Sequence, residues 1–352
     1  MYLDEPGLHV FVGFKGAGID EELKYLLTEF RPGGIVLFKR NIECPEQVRN
    51  LVADAQAFSR EHLARPLLIA IDQEGGTVQR LAPHFTQLPA ARTLAAQGRE
   101  AVSHWASIAA ADLAAINIHI NFAPVLDIAP EGVGHFMESR SLGSSPAEVS
   151  DLGGVYIRAL QEQGVSATAK HFPGLGRAEL DPHHFAPVIQ GNDPEKFQED
   201  LMPFQAAVTA GVHCFMTSHA IYPGIDPGLP ATLSHEINYR ILREKMGFRG
   251  TLFSDDLDMA AISEHYSPRE VAMRGLACGT DFFLLCQRSE SIEPFSRALS
   301  DLIRDDASLR QALKASRERI AALFQFHFHA WHPSAHHGPG TIGNVARANH
   351  RG

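Results

Sequence analysis

Short apolar segments alternate with longer amphipathic segments along most of the chain. Eight apolar stretches have the length and composition of buried strands. They comprise residues 8–14, 34–38, 66–71, 118–122, 164–169, 212–216, 250–253 and 281–285. Helical spacing of apolar positions occupies residues 21–30, 45–62, 91–115, 146–164, 194–210, 234–246, 268–277 and 292–324. The pattern predicts an α/β protein in which strands and helices alternate.

Eight such units with no composition break between them predict a single-domain (β/α)8 TIM-like barrel over residues 1–326. In such barrels the functional site lies at the carboxyl ends of the strands. A doubly wound open sheet is the alternative, and the absence of a GxGxxG motif after the first strand disfavours it. After Phe326 the sequence is rich in His, Pro and Gly. We therefore expect residues 327–352 to form a poorly ordered tail without a catalytic role.

Composition narrows the possible partners. The chain has 352 residues, 45% of them apolar, and a net charge of −10. This charge disfavours binding to nucleic acid and to anionic membrane surfaces. The first residues lack the basic and apolar regions of a signal peptide, and no apolar run is long enough for a membrane span. None of the four cysteines forms a CxxC pair, so we expect core thiols in a reducing, cytoplasmic compartment.

The clearest chemical signal follows the fifth predicted strand. Lys170 and His171 leave this strand and precede a Pro/Gly-rich loop, predicted to be free to move, that contains Asp181 and His183. A carboxylate two residues from a histidine can hold one ring nitrogen and raise the basicity of the other, as a general acid/base requires. A polar turn whose histidines face water is the alternative for this pair alone.

Other predicted strand ends also carry polar side chains. Asp72 ends the third strand, and Arg80 follows closely enough to return to the same face; together they can clamp sugar hydroxyls or form only a cap and a surface ion pair. Arg140 lies in a polar loop, where it can also be a solvated charge. Asp255 ends the seventh strand and is the candidate pointing inward, while Asp256 and Asp258 have the positions of capping residues.

A carboxylate at one strand end and a proton donor on an opposite loop are the parts needed for retaining glycoside hydrolysis. The carboxylate attacks the anomeric carbon, and the donor protonates the leaving oxygen before it deprotonates water. An imidazole in the second role titrates near neutrality without a large shift of its pKa.

Three motifs together resemble glycoside hydrolase family 3, specifically its β-N-acetylglucosaminidase branch in peptidoglycan recycling. They are Lys-His-Phe-Pro-Gly-x-Gly-x4-Asp-x-His from Lys170, Ile-Asp-Gln-Glu-Gly-Gly-x-Val-Gln-Arg from Ile71, and Phe-Ser-Asp-Asp-Leu-x-Met from Phe253. The resemblance runs from about Leu8 to about Leu285 in the family's order. Leu175, Thr77 and Pro182 differ from the common family residues, and His184 adds a second imidazole.

The resemblance implies roles for individual residues. Asp255 would be the nucleophile, His183 the acid/base and Asp181 its partner. The positions that match sugar-binding residues of the family are Asp72, Arg80, Arg140, Lys170 and His171. The implied reaction removes terminal β-linked N-acetylglucosamine from 1,6-anhydro-muropeptides in a Gram-negative cytoplasm. It needs no metal or other cofactor, and we expect a monomer.

Four other functions stay open on the residues alone. A related enzyme can act as a β-glucosidase, or as a glycoside phosphorylase that uses phosphate in place of water. A metal-dependent barrel hydrolase would use His171, His183, His219 and Asp255 as ligands, but their spacing is irregular. A non-catalytic sugar-binding protein is disfavoured because Asp255 and the Asp181/His183 pair are both present.

Overall fold

The computed structural model describes residues 5–132, 134–176, 178, 187–189 and 193–329. Eight parallel strands, named β1 to β8 here, form a closed barrel. They are β1 (Val10–Val12), β2 (Gly34–Leu37), β3 (Leu68–Ile71), β4 (Ile120–Asn121), β5 (Ser166–Phe172), β6 (Cys214–Thr217), β7 (Thr251–Asp256) and β8 (Phe282–Leu285). Each strand pairs with its neighbours in sequence, and β8 closes the barrel on β1, with Val10 opposite Phe283. The predicted barrel fold is confirmed.

Helices connect the strands and surround the barrel. Their bounds are Glu21–Phe30, Pro45–His62, Ala91–Gln97, Arg99–Ala115, Pro146–Glu162, Pro194–Thr209, Glu236–Lys245, Ala260–Ser263, Pro268–Ala277, Ser289–Asp305 and Arg310–His327. Several begin with a side-chain cap followed by proline, as at Ser145 and Ser267, which fixes where the chain turns into the helix. The predicted helix 91–115 is divided at Gly98, and segment 236–245 is wound as a π-helix. Among the described residues, no helix is both long and apolar enough to cross a membrane.

Alternate residues of the strands face two different cores. One set packs against the helices; the other packs in a second cluster, as expected when period-2 strands close into a barrel. Phenylalanines dominate the second cluster: Phe253 lies 4.8 Å from Phe282 and 5.2 Å from Phe11 between ring centroids. Ile320 and Phe324 of the last helix belong to the same cluster. The barrel is therefore filled with side chains rather than open.

Two strands extend further than the sequence predicts. β5 continues through Lys170 and His171 to Phe172, so these two side chains stand on the strand and not after its end. β7 likewise continues through Asp255 and Asp256. Both strands were predicted to end before these residues, because charged side chains are rare in buried strands. Here the cavity above the barrel provides partners for them.

A small hairpin after β3 was not predicted. Gln73–Gly75 pairs with Val78–Gln79, and Gly75 has a φ of +103°. A Cβ atom at Gly75 would lie 2.4 Å from the carbonyl oxygen of Pro89, so both the conformation and the space require glycine. The hairpin returns the chain towards the barrel mouth and brings Arg80 close to Asp72.

The last helix packs across the end of the barrel opposite the site. His327 Nε2 lies 2.8 Å from Ser166 Oγ at the start of β5, and Arg319 and Ser316 donate to the buried Asp281 beside β8. The ring of Phe328 packs against His119, with 4.8 Å between centroids. His327 and Phe328 thus contact the barrel. Residues 330–352 of the predicted tail lie outside the described residues.

Candidate active site

A cavity of about 670 Å³ opens at the carboxyl ends of the strands. All the predicted site residues that the structure describes line it. They are Asp72, Arg80, Arg140, Lys170, His171 and Asp255. Apolar side chains at the strand ends, including Phe122 and Met216, form the bottom of the cavity. The barrel therefore brings together residues that are up to 183 positions apart in the sequence, as between Asp72 and Asp255.

Lys170 is held between two carboxylates. Its Nζ atom lies 2.8 Å from Asp72 Oδ1 and 2.6 Å from Glu74 Oε1, and its side chain is only 3% exposed. Burial alone would lower the pKa of Lys170, but the charges of Asp72 and Glu74 raise it above its usual value. The ammonium group is therefore a permanent cation at the cavity wall.

Arg140 forms a two-point ion pair with the same glutamate. Its Nε and one terminal nitrogen each donate to Glu74 over 2.8 Å, in the planar geometry that arginine favours. Burial would raise the pKa of Glu74, but Lys170 and Arg140 hold it far below the usual value. The loop position of Arg140 is compatible with a solvated charge, and the structure shows instead a mostly buried one. Glu74 and Arg140 are 66 positions apart, and their spacing along the chain does not predict this pair.

Arg80 and Asp72 form a weaker contact at the edge of the cavity. The guanidinium nitrogen lies 3.4 Å from Asp72 Oδ2, and the Arg80 side chain is 31% exposed. Asp72 thus accepts a hydrogen bond from Lys170 on one carboxylate oxygen and from Arg80 on the other. Both oxygens therefore contact cations, and the carboxylate lines the cavity, where it can bind sugar hydroxyls.

His171 is hydrogen-bonded to the carboxylate of Asp127, for which the sequence predicted no role. Its Nδ1 atom lies 2.7 Å from Oδ2 of Asp127, which is fully buried after β4. An ionised carboxylate only accepts hydrogen bonds, so Nδ1 carries the proton. Nothing in the spacing between Asp127 and His171 signals this contact; only adjacency of the ends of β4 and β5 creates it.

Asp255 lies at the cavity end of β7. Its Oδ1 atom accepts a hydrogen bond of 2.8 Å from the backbone N–H of Asp256. Burial would raise the pKa of Asp255, but the neighbouring His219, His171 and Lys170 and this N–H donor lower it below its usual value. The carboxylate is therefore an anion, which is the form a nucleophile needs.

Asp256 and Asp258 hold the ends of β7 and β8 together. Asp256 accepts from the backbone N–H of Cys286, and Asp258 accepts from those of Gln287 and Arg288. Burial and the charge of Asp258 raise the pKa of Asp256 to about 7. Asp256 and Asp258 also line the cavity, so position alone does not distinguish them from Asp255. What distinguishes Asp255 is its lowered pKa and a side chain that accepts only one backbone N–H among the described contacts.

His219 is a hydrogen-bonded framework residue. Nδ1 lies 2.7 Å from the hydroxyl of Thr232, and Nε2 lies 3.0 Å from the carbonyl oxygen of Asp256. Within the described ranges, no group of three or more His, Cys, Asp or Glu side chains has a geometry that could hold a metal ion. The predicted Asp181 and His183, with the neighbouring Pro182 and His184, lie outside the described residues.

Comparison with known proteins agrees with this architecture. Residues 9–323 match the model of the glycosyl hydrolase family 3 N terminal domain. A curated β-hexosaminidase of Alkalilimnicola ehrlichii is 37% identical over 83% of this chain and 84% of its own length. One from Pseudomonas aeruginosa is 37% identical over 82% of this chain and 85% of its own length.

Solved structures give the same family. A glycoside hydrolase family 3 β-N-acetylglucosaminidase from Paenibacillus sp. FPU-7 superposes with a TM-score of 0.86 and 33% identity, over 98% of this chain and 65% of that protein. A β-N-acetylhexosaminidase from Beutenbergia cavernae gives a TM-score of 0.83 and 27% identity, over 92% of this chain and 98% of that protein. The chain spans about two thirds of the Paenibacillus protein but most of the Beutenbergia one. With its eight-stranded barrel and charged cavity, the chain belongs to glycoside hydrolase family 3, among relatives named β-hexosaminidases.

Proposed function

We propose that this chain removes terminal β-linked N-acetylglucosamine by a retaining, double-displacement reaction. In the first step Asp255 attacks the anomeric carbon and the glycosidic oxygen leaves with a proton from His183. In the second step His183 takes a proton from water, which displaces Asp255 and releases the sugar. Asp181 orients the imidazole of His183. No metal or cofactor takes part.

The observation that carries the proposal is the position of the Asp255 carboxylate at the cavity wall, where it accepts the backbone N–H of Asp256. Its pKa is lowered although it is buried, because three potentially cationic side chains and a backbone N–H face it. A cationic neighbour stabilises the carboxylate before attack, and the same charges lie close to the atoms that react. The names of the relatives at 37% identity support the hexosaminidase assignment.

The sugar is held, in this proposal, by the charged network opposite Asp255. Asp72 accepts hydrogen bonds from hydroxyl groups, while Arg80, Arg140 and Lys170 donate to hydroxyl or acetamido oxygens. His171 contacts the sugar through Nε2, because Nδ1 is bound to Asp127. Glu74 keeps Lys170 and Arg140 in place from behind. Such buried hydrogen-bonding groups discriminate strongly against substrates that leave them unpaired.

A finer proposal concerns the natural substrate. The cavity extends past Asp255 to Ser263, Glu264 and Arg288, which gives room for a group beyond one sugar ring. We propose that this group is the 1,6-anhydro-muropeptide moiety and that the enzyme acts as a cytoplasmic monomer in peptidoglycan recycling. Release of N-acetylglucosamine from a purified anhydro-muropeptide, compared with release from chitobiose, tests this step separately.

Two measurements test the reaction itself. A panel of aryl β-glycosides should show turnover of the N-acetylglucosaminide well above that of the glucoside. A fluorosugar that traps the glycosyl-enzyme should label Asp255, as mapped by peptide mass spectrometry. Labelling of Asp256, or tight inhibition by a thiazoline without any covalent adduct, would contradict the assigned nucleophile. Product that appears as sugar phosphate in phosphate buffer would identify a phosphorylase instead.

A further inference from the structure

Asp127 is a buried carboxylate that accepts several hydrogen bonds. Among the described contacts, no lysine or arginine side chain lies within hydrogen-bond distance of it. It is 0% exposed, and it accepts from His171 Nδ1 over 2.7 Å and from the backbone N–H of Leu175 over 2.6 Å. The backbone N–H of His171 lies 3.3 Å from both of its oxygens. A buried carboxylate is stable only when such donors compensate for lost hydration.

The backbone around Asp127 is held equally firmly. Ser141 Oγ donates to the Asp127 carbonyl oxygen over 2.6 Å, and the N–H of Leu126 donates to the carbonyl of Lys170 over 2.6 Å. The turn after β5 packs directly on this segment. A Cβ atom at Gly176 would lie 1.7 Å from the carbonyl oxygen of Ile128, so only glycine allows this approach.

These contacts have a chemical consequence for His171. With Nδ1 protonated and bound to Asp127, Nε2 is the ring atom left to serve the cavity, which the His171 side chain lines. In the opposite tautomer Nε2 would be protonated in the neutral ring, and Asp127 would face an unprotonated nitrogen.

We propose that Asp127 is a positioning residue that fixes the tautomer and orientation of His171 and anchors the turn at residues 172–176. The effect on the sugar rests on the proposed function, in which His171 contacts the substrate. The tautomer itself does not, because it follows from the contact between Asp127 and His171 alone. Asp127 acts through the ring of His171 and touches no reacting atom.

The first test measures the ring in the wild-type enzyme. ¹⁵N NMR of histidine-labelled protein, assigned with His171→Gln, should show His171 protonated at Nδ1, or at both nitrogens, over the pH range of activity. The signals of His219, which is bonded to Thr232 and the carbonyl of Asp256, provide the internal control. A wild-type His171 protonated at Nε2 alone would overturn the proposal, whatever sugar the enzyme accepts.

The second test is a double-mutant cycle. Asp127→Asn keeps the shape and an oxygen for the backbone donors, but its amide NH₂ favours an unprotonated Nδ1. We expect kcat/KM on the aryl N-acetylglucosaminide to fall roughly 10- to 100-fold, by analogy with other carboxylate partners of histidines. In the His171→Ala background the same change should cost less than about threefold, because its effect passes through the ring.

The outcomes separate positioning from a general structural role. If Asp127→Asn lowered kcat/KM equally in both backgrounds while the His171 signals stayed unchanged, Asp127 would only support the fold, and the proposal would be wrong. If no aryl glycoside were turned over at all, the proposed function would fail. The tautomer of His171 in wild type and Asp127→Asn would still decide the contact between the two residues.

Discussion

The ammonium of Lys170 and the carboxylate of Glu74 lie 2.6 Å apart, and each side chain is only 3% exposed. Because Arg140 also binds Glu74 at two points, this glutamate is the shared counterion of two cavity-lining cations. Its pKa lies far below the usual value, so it carries no proton to donate near neutral pH. Glu74 therefore supports the site as an anion, and its lowered pKa makes it unsuited to act as a general acid.

Replacing Glu74 by Gln should leave two buried cations without their shared partner. We expect the free energy of unfolding to fall by about 3 kcal/mol, measured by urea denaturation, since removing one member of a buried pair is costly. kcat/KM should fall as well, because Lys170 and Arg140 lose their positions. Glu21→Gln, which changes an exposed glutamate, is the control. An unchanged unfolding midpoint for Glu74→Gln would contradict the buried pair.

Asp255→Asn should remove most activity and leave the fold intact. The amide cannot attack the anomeric carbon, and it is of the same size as the carboxylate. Asp256→Asn is the matched comparison, because Asp256 lines the same cavity but binds the backbone N–H of Cys286. Steady-state kinetics with a dinitrophenyl glycoside and circular dichroism check both variants. Greater loss of activity in folded Asp256→Asn than in Asp255→Asn would reverse the assignment.

Asp72→Ala should weaken sugar binding and loosen Lys170. We expect kcat/KM to fall by the equivalent of about 1–3 kcal/mol, because buried hydrogen-bonding groups lose their partner. Asp72→Asn keeps an acceptor oxygen and should lose less. Kinetics on the aryl N-acetylglucosaminide measure the difference, and wild-type kinetics in Asp72→Ala would remove this residue from the site.

His183→Ala should lose far more kcat/KM on a disaccharide than on a dinitrophenyl glycoside. The disaccharide needs protonation of its leaving oxygen, whereas dinitrophenolate leaves unaided. With the activated substrate the glycosyl-enzyme should accumulate and give a burst, and azide should restore turnover because it needs no deprotonation. Asp181→Ala should show a weaker version of this pattern.

A double variant with His184→Ala shows whether the neighbouring imidazole substitutes for His183. Equal loss on both substrates, without a burst or azide rescue, would make His183 a binding residue. The acid/base would then lie elsewhere, with Glu179 as the remaining carboxylate of that loop to test.

His119 should make the protein less stable in acid. Burial lowers its pKa to about 4, and Nδ1 accepts the backbone N–H of Ile69, so protonation in the folded state would break this bond. The unfolded state binds a proton near pH 6.5, where the folded state does not. Stability is therefore full above about pH 6.5 and declines towards pH 4, with a total loss of up to ~3 kcal/mol from this residue.

Urea denaturation between pH 7.5 and pH 4 measures this dependence. His119→Gln should have a lower slope of unfolding free energy against pH than wild type, while the variant His265→Gln, at an exposed histidine, should keep the wild-type slope. Identical slopes for wild type and His119→Gln would show that His119 does not titrate as its surroundings indicate.

The sequence predicted the barrel because the spacing of apolar residues that marks each strand and helix can be seen within a short stretch of the chain. It also predicted six of the cavity-lining residues, since polar side chains after buried strands converge in a barrel. It did not predict the partners of Lys170, Arg140 and His171. These pairs join different strands, so side-chain direction and depth decide them, and the spacing along the chain carries no sign of them.

The last helix, Arg310–His327, packs across one end of the barrel, and this has a consequence for folding during biosynthesis. Arg319 and Ser316 bind Asp281, and Ile320 and Phe324 cover the aromatic cluster that includes Phe282. These contacts cannot form until the ribosome has released the final helical segment, although all eight strands have emerged by then. The nascent barrel therefore exposes its phenylalanine-rich end to chaperones and to other chains until this helix has left the ribosome.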